Sequence, residues 1–428
     1  MSAVTPAEAD FVLTNSAWIA TLRGPLPRTG GALRDLGLVD RGALAARAGR
    51  IVWVGPEAEL EGRVQALPGA RRLDAGGGAV VPGFVDAHTH LCFAGTRDDE
   101  IARRLAGATY AQIAAEGGGI VRTVAATRAA SEDQLVDGLL QRLDEALACG
   151  TTTLEVKSGY GLETQAELRS LRAIRAAAAR HPATIVPTFL GAHEVPVEHR
   201  AGRGRYLDLL THEMLPEVAR QGLATFCDVF CEQGVFTVDE SRRLLTAARD
   251  LGLAPRLHAD ELCWTGGAEL AAELRARSAD HLIFVSGAGM QGLADSGCTA
   301  TLLPVAAFYL RLPRYAPARA LIDAGAPLAL ASDANPGGGL SPSMPFVMTV
   351  ACFAMGLSLE EALSAATIGG AWSLGLEGEV GSLEPGKRAD LLLLRGSRLL
   401  DLARVGVPAV RAVVKDGQVV AEDGRRVA

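Results

Sequence analysis

The sequence predicts an α/β fold: a (β/α)8 TIM-type barrel with a small β-sandwich domain built from both chain ends. Three observations carry that expectation. Eight short apolar runs of β type recur through the middle of the chain, and amphipathic helical stretches separate most of them. The two ends differ, with strand-and-turn segments and no helices of that kind. Strands that are apolar almost throughout and alternate with helices describe a parallel sheet covered on both faces. An open doubly wound sheet is the alternative, but no G-x-G-x-x-G follows the first run.

Residues 1–79 are expected to form the first part of the small β domain. AWIATL and RIVWVG are β-rich, and GG at 30–31, PG at 68–69 and GGG at 76–78 punctuate them. The barrel is expected over 80–377. It opens with VVPGFVDAH and continues with TTTLEVK (151–157), ATIVPTFLGAH (183–193), TFCDVFCE (225–232) and APRLHADE (254–261). SADHLIF (278–284), TATLLPVAA (299–307) and PLALASD (327–333) complete the set. Capping boxes are expected at Ser131 with Gln134, Thr164 with Glu167, Thr237 with Glu240 and Ser358 with Glu361. Gly150 and Gly252 sit where helix C-terminal glycines belong. The stretch from Asp98 to Ala130 exceeds a simple connection and is expected to contribute to a lid. Residues 378–428 complete the small domain with ADLLLLRG and VRAVVKDGQVV, in which Asp416–Gly417 signals a hairpin.

Composition narrows the function. With 42 basic and 49 acidic residues the net charge is −7, which argues against nucleic acid as a partner. At 428 residues and 49% apolar, the chain is long enough for one large domain and a smaller one. The seven cysteines are scattered; only Cys227 and Cys231 lie close, at a spacing that fits neither a C-x-x-C motif nor a zinc ribbon. Free thiols in a reducing cytoplasm are expected. MSAVTPAEADF lacks a signal-peptide pattern, and no window suits a bilayer, so a soluble cytoplasmic protein with no membrane partner is expected.

The chemistry concentrates at the ends of the apolar runs, where a barrel of this type places its catalytic groups. There lie His88 and His90, Lys157, His193, Glu232, His258 with Glu261, His281, and Asp333. The remaining histidines, His181, His199 and His212, are expected at the surface. Side chains two apart on a strand share a face, so His88 and His90 point the same way. With His258 and Asp333 they give three imidazoles and a carboxylate, donors suited to Zn(II) or Fe(II) with room left for water. An ion there lowers the pKa of that water and provides a nucleophile at neutral pH. Glu261, three residues past His258, turns back over the site if the strand ends at Ala259, and can shuttle protons. His281 can polarise a substrate carbonyl or orient the water.

VVPGFVDAHTHLCFAGTRDDE, EVKSGYGL, TFLGAHEVP, LHADE, SADHL and LASDANPGG together resemble the amidohydrolase superfamily and, within it, the imidazolonepropionase family. H-x-H signals only the superfamily; FAGTRDDE, EVKSGYGL and SDANPGG are the more specific motifs. The resemblance implies hydrolysis of 4-imidazolone-5-propanoate to N-formimidoyl-L-glutamate, the third step of L-histidine degradation. It implies a single Zn or Fe ion held by His88, His90, His258 and Asp333, with Lys157 an unmodified lysine. It implies substrate contacts at Arg97, Tyr160, His193, Glu261, Asn335, Gly337 and Gly338, and catalytic roles for Glu261, His281 and Asp333. Arg97 would hold the propanoate, and a homodimer is implied. Gly338 departs from the family pattern, which usually has Ser or Thr there. The lost hydroxyl contact is worth about 0.5–1.5 kcal/mol, and a backbone N–H is left to donate. A hydantoin or pyrimidine substrate would not need Arg97. A catalytically dead scaffold is expected to have lost ligands, and no ligand position is missing.

Overall fold

A computed structural model describes residues 6–108, 112 and 117–427. Eight parallel strands run in chain order through its central sheet: Phe84–Asp86, Thr151–Lys157, Thr184–Ala192, Phe226–Cys231, Ala254–Ala259, Ser278–His281, Thr299–Leu302 and Leu328–Leu330. Each pairs in parallel with its chain neighbours, as βαβ units require, with register shifts at Phe84/Val85 and Phe189/Ala192. The seam between first and last strands closes just beyond their ends. Thr89 bridges Ala334 in parallel, the His90 N–H donates to the Ala334 carbonyl (2.9 Å), and the Asp333 N–H donates to His88 (3.0 Å). Beneath that seam, the buried Asp86 carboxylate accepts from the Ser332 N–H (3.0 Å) and hydroxyl (2.5 Å). The segments that close the barrel therefore carry three of the four expected metal ligands.

Both chain ends build two further sheets. One contains Arg50–Pro56, Gly42–Arg47, Ala7–Thr14 and Val64–Asp74 in spatial order. The other runs Arg425–Arg426, Gln418–Glu422, Val410–Lys415, Leu391–Leu394, Val80–Pro82, Trp18–Ala20, Leu38–Asp40. Phe11, Leu13, Leu44 and Ile51 of the first pack against Ile19, Val80, Leu391, Leu393 and Val414 of the second, which makes a sandwich core. Val80–Pro82 pairs here with Leu391–Leu393, so the barrel starts at Phe84, four residues later than the sequence suggested. Pro82–Gly83 is where the chain changes sheets: the Gly83 N–H donates to Asp390 and the next N–H, of Phe84, to Gly150. Asp416 and Gly417 form the expected hairpin, with φ of 49° and 71° as its tight turn demands.

Three capping boxes form as expected, at Ser131/Gln134, Thr237/Glu240 and Ser358/Glu361. The fourth does not. Helix Thr164–Ala178 is preceded by Glu163 without a side-chain cap. The Glu167 carboxylate instead accepts from the N–H groups of Gly159 (3.1 Å), Gly161 (2.7 Å) and Leu162 (2.8 Å). A buried carboxylate gains more from three donors than from one cap, and these three shape the loop that carries Tyr160. His181 also departs from expectation. It is only 6% exposed, bonded to Asp144 and to the Ala183 N–H, and burial pushes its pKa down to about 4. The stretch expected to contribute to a lid contains helices Asp98–Leu105 and Ile120–Ala129; its residues 109–111 and 113–116 lie outside the described residues. The seven cysteines are free. No helix among the described residues is long and apolar enough to cross a membrane.

Candidate metal centre and substrate cavity

Strand ends bring the predicted donors together. His88 and His90 follow the first strand, His258 lies within the fifth, and Asp333 follows the eighth. Nε2 of His90 lies 3.1 Å from Nε2 of His88 and 3.2 Å from that of His258. Asp333 Oδ1 is 3.3 Å from His90 Nε2 and 3.6 Å from His88 Nε2. With bonds of about 2.1 Å, donors around one ion stand roughly 3.0–3.4 Å apart, so the cluster has the spacing of a single first coordination shell. Its protonation fits as well. Burial drives the pKa of His88 well down and lowers that of His90, leaving neutral rings. A neutral imidazole is the form that binds a metal ion.

The tautomers are set from behind. Asp280 Oδ2 is 2.6 Å from Nδ1 of His88, and Asp228 Oδ2 is 3.0 Å from Nδ1 of His258. A carboxylate behind Nδ1 keeps the proton there and frees Nε2 for the metal. Those carboxylates are held in turn inside the barrel. Lys157 Nζ lies 2.7 Å from both Glu155 and Asp228, and the buried Arg256 guanidinium 3.4 Å from Glu155 and Asp280. Burial opposes the charge on Lys157, but Asp228 and Glu155 hold its ammonium above the ordinary range. Two carboxylates grip this lysine, as suits an unmodified residue.

A cavity of about 680 Å³ opens over the cluster. Every expected substrate contact lines it: Arg97, Tyr160, His193, Glu261, Asn335, Gly337 and Gly338, together with His281. His193 stacks on His90 (centroids 4.9 Å apart, 19° between planes) and lies 5.2 Å from the Tyr160 ring. Its Nδ1 is 3.0 Å from the Gly159 carbonyl, which fixes the proton there and leaves Nε2 to accept.

Glu261 is placed by its neighbour. The fifth strand ends at Ala259, and Asp260 takes a left-handed conformation (φ 53°). The Asp260 carboxylate accepts from the N–H groups of Thr265, Gly266, Gly267 and Ala268, which folds the loop back. Burial, reinforced by the charge of Asp333, then pushes the Glu261 carboxyl up to about 8. A cation held by the neighbouring cluster would draw that value back towards neutrality, where a proton shuttle works best. Glu261 Oε1 lies 3.6 Å from His281 Nδ1. His281 ends the sixth strand at φ 73°, rather than lying inside a longer one as the run SADHLIF suggested.

On the opposite wall, the Arg97 guanidinium lies across Gly337. A Cβ at that position would come within 2.3 Å of Nη1, so any side chain there would displace the guanidinium. Asn335 builds the turn: its Nδ2 donates to the Asp333 carbonyl (2.7 Å), and its Oδ1 accepts from the N–H groups of Gly337 (2.8 Å) and Gly338 (2.6 Å). The Gly338 N–H that the sequence left free to donate is therefore engaged within the turn. Glu232, at the end of the fourth run, supports the Glu261 loop by accepting from the Leu262 N–H (2.8 Å).

Reading the run ends missed what lies one layer below. Asp228, Arg256 and Asp280 lie inside the strands or the runs rather than among the run-end residues named from the sequence. The signal was alternation: Glu155 with Lys157, and Arg256 with His258, repeat at the two-residue period that turns both side chains into the barrel.

Fold and donor set define a metal-dependent hydrolase of the amidohydrolase class, and the Amidohydrolase family model matches residues 79–420, so the chain belongs to that family. It is 52% identical to imidazolonepropionase of Symbiobacterium thermophilum over 97% of this chain and 98% of that protein. It is 48% identical to the imidazolonepropionase of Geobacillus kaustophilus, over 92% and 93% of the two chains. Within the amidohydrolases, the chain belongs to the imidazolonepropionase family. Its fold is also that of an adenosine deaminase from Xanthomonas campestris with bound zinc (TM-score 0.75, 19% identity, 99% of this chain and 95% of that one).

Proposed function

We propose that this chain opens the ring of 4-imidazolone-5-propanoate by hydrolysis, giving N-formimidoyl-L-glutamate in L-histidine degradation. The observation that carries this reading is one cavity with an ion-binding cluster on its floor and a guanidinium on its wall. A cyclic amide bearing a carboxylate side chain matches both. We assign the ion to His88, His90, His258 and Asp333, as one Zn(II) or Fe ion per chain. When bound, such an ion supplies a Lewis acid that activates water and polarises a carbonyl.

The chain's own groups supply the rest. Arg97 holds the propanoate, and Tyr160 and His193 set the ring in the cavity. Water oxygen adds to the ring carbonyl carbon while Glu261 takes up a proton from it. Glu261 then delivers that proton to the adjacent ring nitrogen as the C–N bond breaks, so the leaving nitrogen departs neutral. His281, beside Glu261, donates towards the carbonyl oxygen as its charge grows. Asn335, Gly337 and Gly338 contribute through the turn that seats Arg97. A homodimer in the cytoplasm is the proposed working form.

The test is ring opening by the purified protein, with and without a chelator. Formation of N-formimidoyl-L-glutamate that stops on chelation supports the reading; no ring opening with metal present refutes it. Arg97→Ala should raise KM about 10–100-fold, the worth of a charge-assisted contact, with a smaller change in kcat. An unchanged KM would point to a ring without a carboxylate arm.

A further inference from the structure

Arg97 reaches the cavity from the start of helix Asp98–Leu105, a position from which a long side chain has many rotamers. One residue removes that freedom. Glu100 is 3% exposed, and its Oε2 accepts from Arg97 Nε at 2.9 Å. Its Oε1 accepts at 2.8 Å from the N–H of Gly119, which caps the start of helix Ile120–Ala129. The carboxylate thus spends one oxygen on the arginine and one on the backbone of a separate helix. With Nε held, the guanidinium plane is fixed and its Nη groups lie against Gly337 at the cavity wall.

We propose that Glu100 is a positioning residue for substrate recognition: it locks the Arg97 guanidinium across Gly337 in the orientation that meets the substrate carboxylate. The inference rests on the substrate reading above. Charge and geometry predict opposite outcomes here. A buried carboxylate beside Arg97 offsets part of its positive field, so on charge alone removing it would tighten binding of an anion. If orientation dominates, removal weakens binding, because a mobile arginine must be ordered again each time substrate binds. The two-donor geometry favours orientation. Only a carboxylate offers two acceptors at that span; glutamine offers one, and aspartate is a methylene too short to reach both.

The experiment compares metal-loaded parent enzyme with Glu100→Gln, Glu100→Asp, Arg97→Ala and the Arg97→Ala/Glu100→Gln double variant. Each is assayed on the propanoate substrate and on the same ring carrying a propanamide. Glu100→Gln and Glu100→Asp should both raise KM for the propanoate about tenfold, with kcat within about threefold of the parent. KM for the propanamide should stay unchanged, and Glu100→Gln should add nothing once Arg97 is gone. A lowered KM in Glu100→Gln, an equal loss on both substrates, or additive losses in the double variant would overturn the inference and leave the substrate reading intact. Failure of the parent enzyme to open the ring would overturn both.

Discussion

His258→Ala is expected to abolish ring opening, with kcat at least about a thousandfold below the parent, and to yield protein without stoichiometric metal. The size follows from the geometry. Nε2 of His258 is 3.2 Å from that of His90, and Asp228 holds the ring from behind. Removing it takes one of three imidazoles from the cluster. It also leaves the buried Asp228 carboxylate with Lys157 and the Val229 N–H as its close partners, both at 2.7 Å. The fold should survive, since the alanine sits in a strand with intact ladders to both neighbours. Metal analysis and kinetics on the same preparation check this. Near-parental activity with a full complement of metal would remove His258 from the ligand set.

Glu261→Gln should lower kcat by roughly 10²–10⁴-fold, the usual worth of a positioned acid–base group, while metal content stays at the parental level. Glutamine fills the same space in the loop that Asp260 folds, and it retains a polar contact towards His281. What it lacks is an exchangeable proton. The natural residue is suited to the task because burial and the Asp333 charge push its carboxyl up to about 8 and a bound cation would lower it from there, so it can both take and give a proton near neutrality. KM should change little, because the lost interaction belongs to the transition state. A variant that kept its kcat would exclude Glu261 as the shuttle.

Much of this site was legible in the sequence because barrel strands deliver side chains to one rim. His88, His90, His258, Glu261, His281 and Asp333 each stand at or just past a strand end, and they meet at one rim. What escaped notice depends on contacts between distant strands. Asp280 matters because it backs His88, 192 residues away, and nothing local in SADHLIF announces that. Glu167 looked like a capping residue because T-x-x-E is a local pattern; three loop N–H groups overrode it. The boundary at Val80 slipped for a related reason. VVPGFV reads as one interrupted strand, whereas its two halves belong to different sheets. The partner of Val80–Pro82 comes from Leu391–Leu393, more than three hundred residues later.

The most direct test of the central claim is a metal titration of chelator-stripped enzyme, following ring opening against equivalents of Zn(II) or Fe(II) added per chain. Activity should start near zero, rise in proportion to added ion and level off at one equivalent. Full turnover by the stripped enzyme, or a plateau reached only at two equivalents, would contradict a single ion gathered by His88, His90, His258 and Asp333.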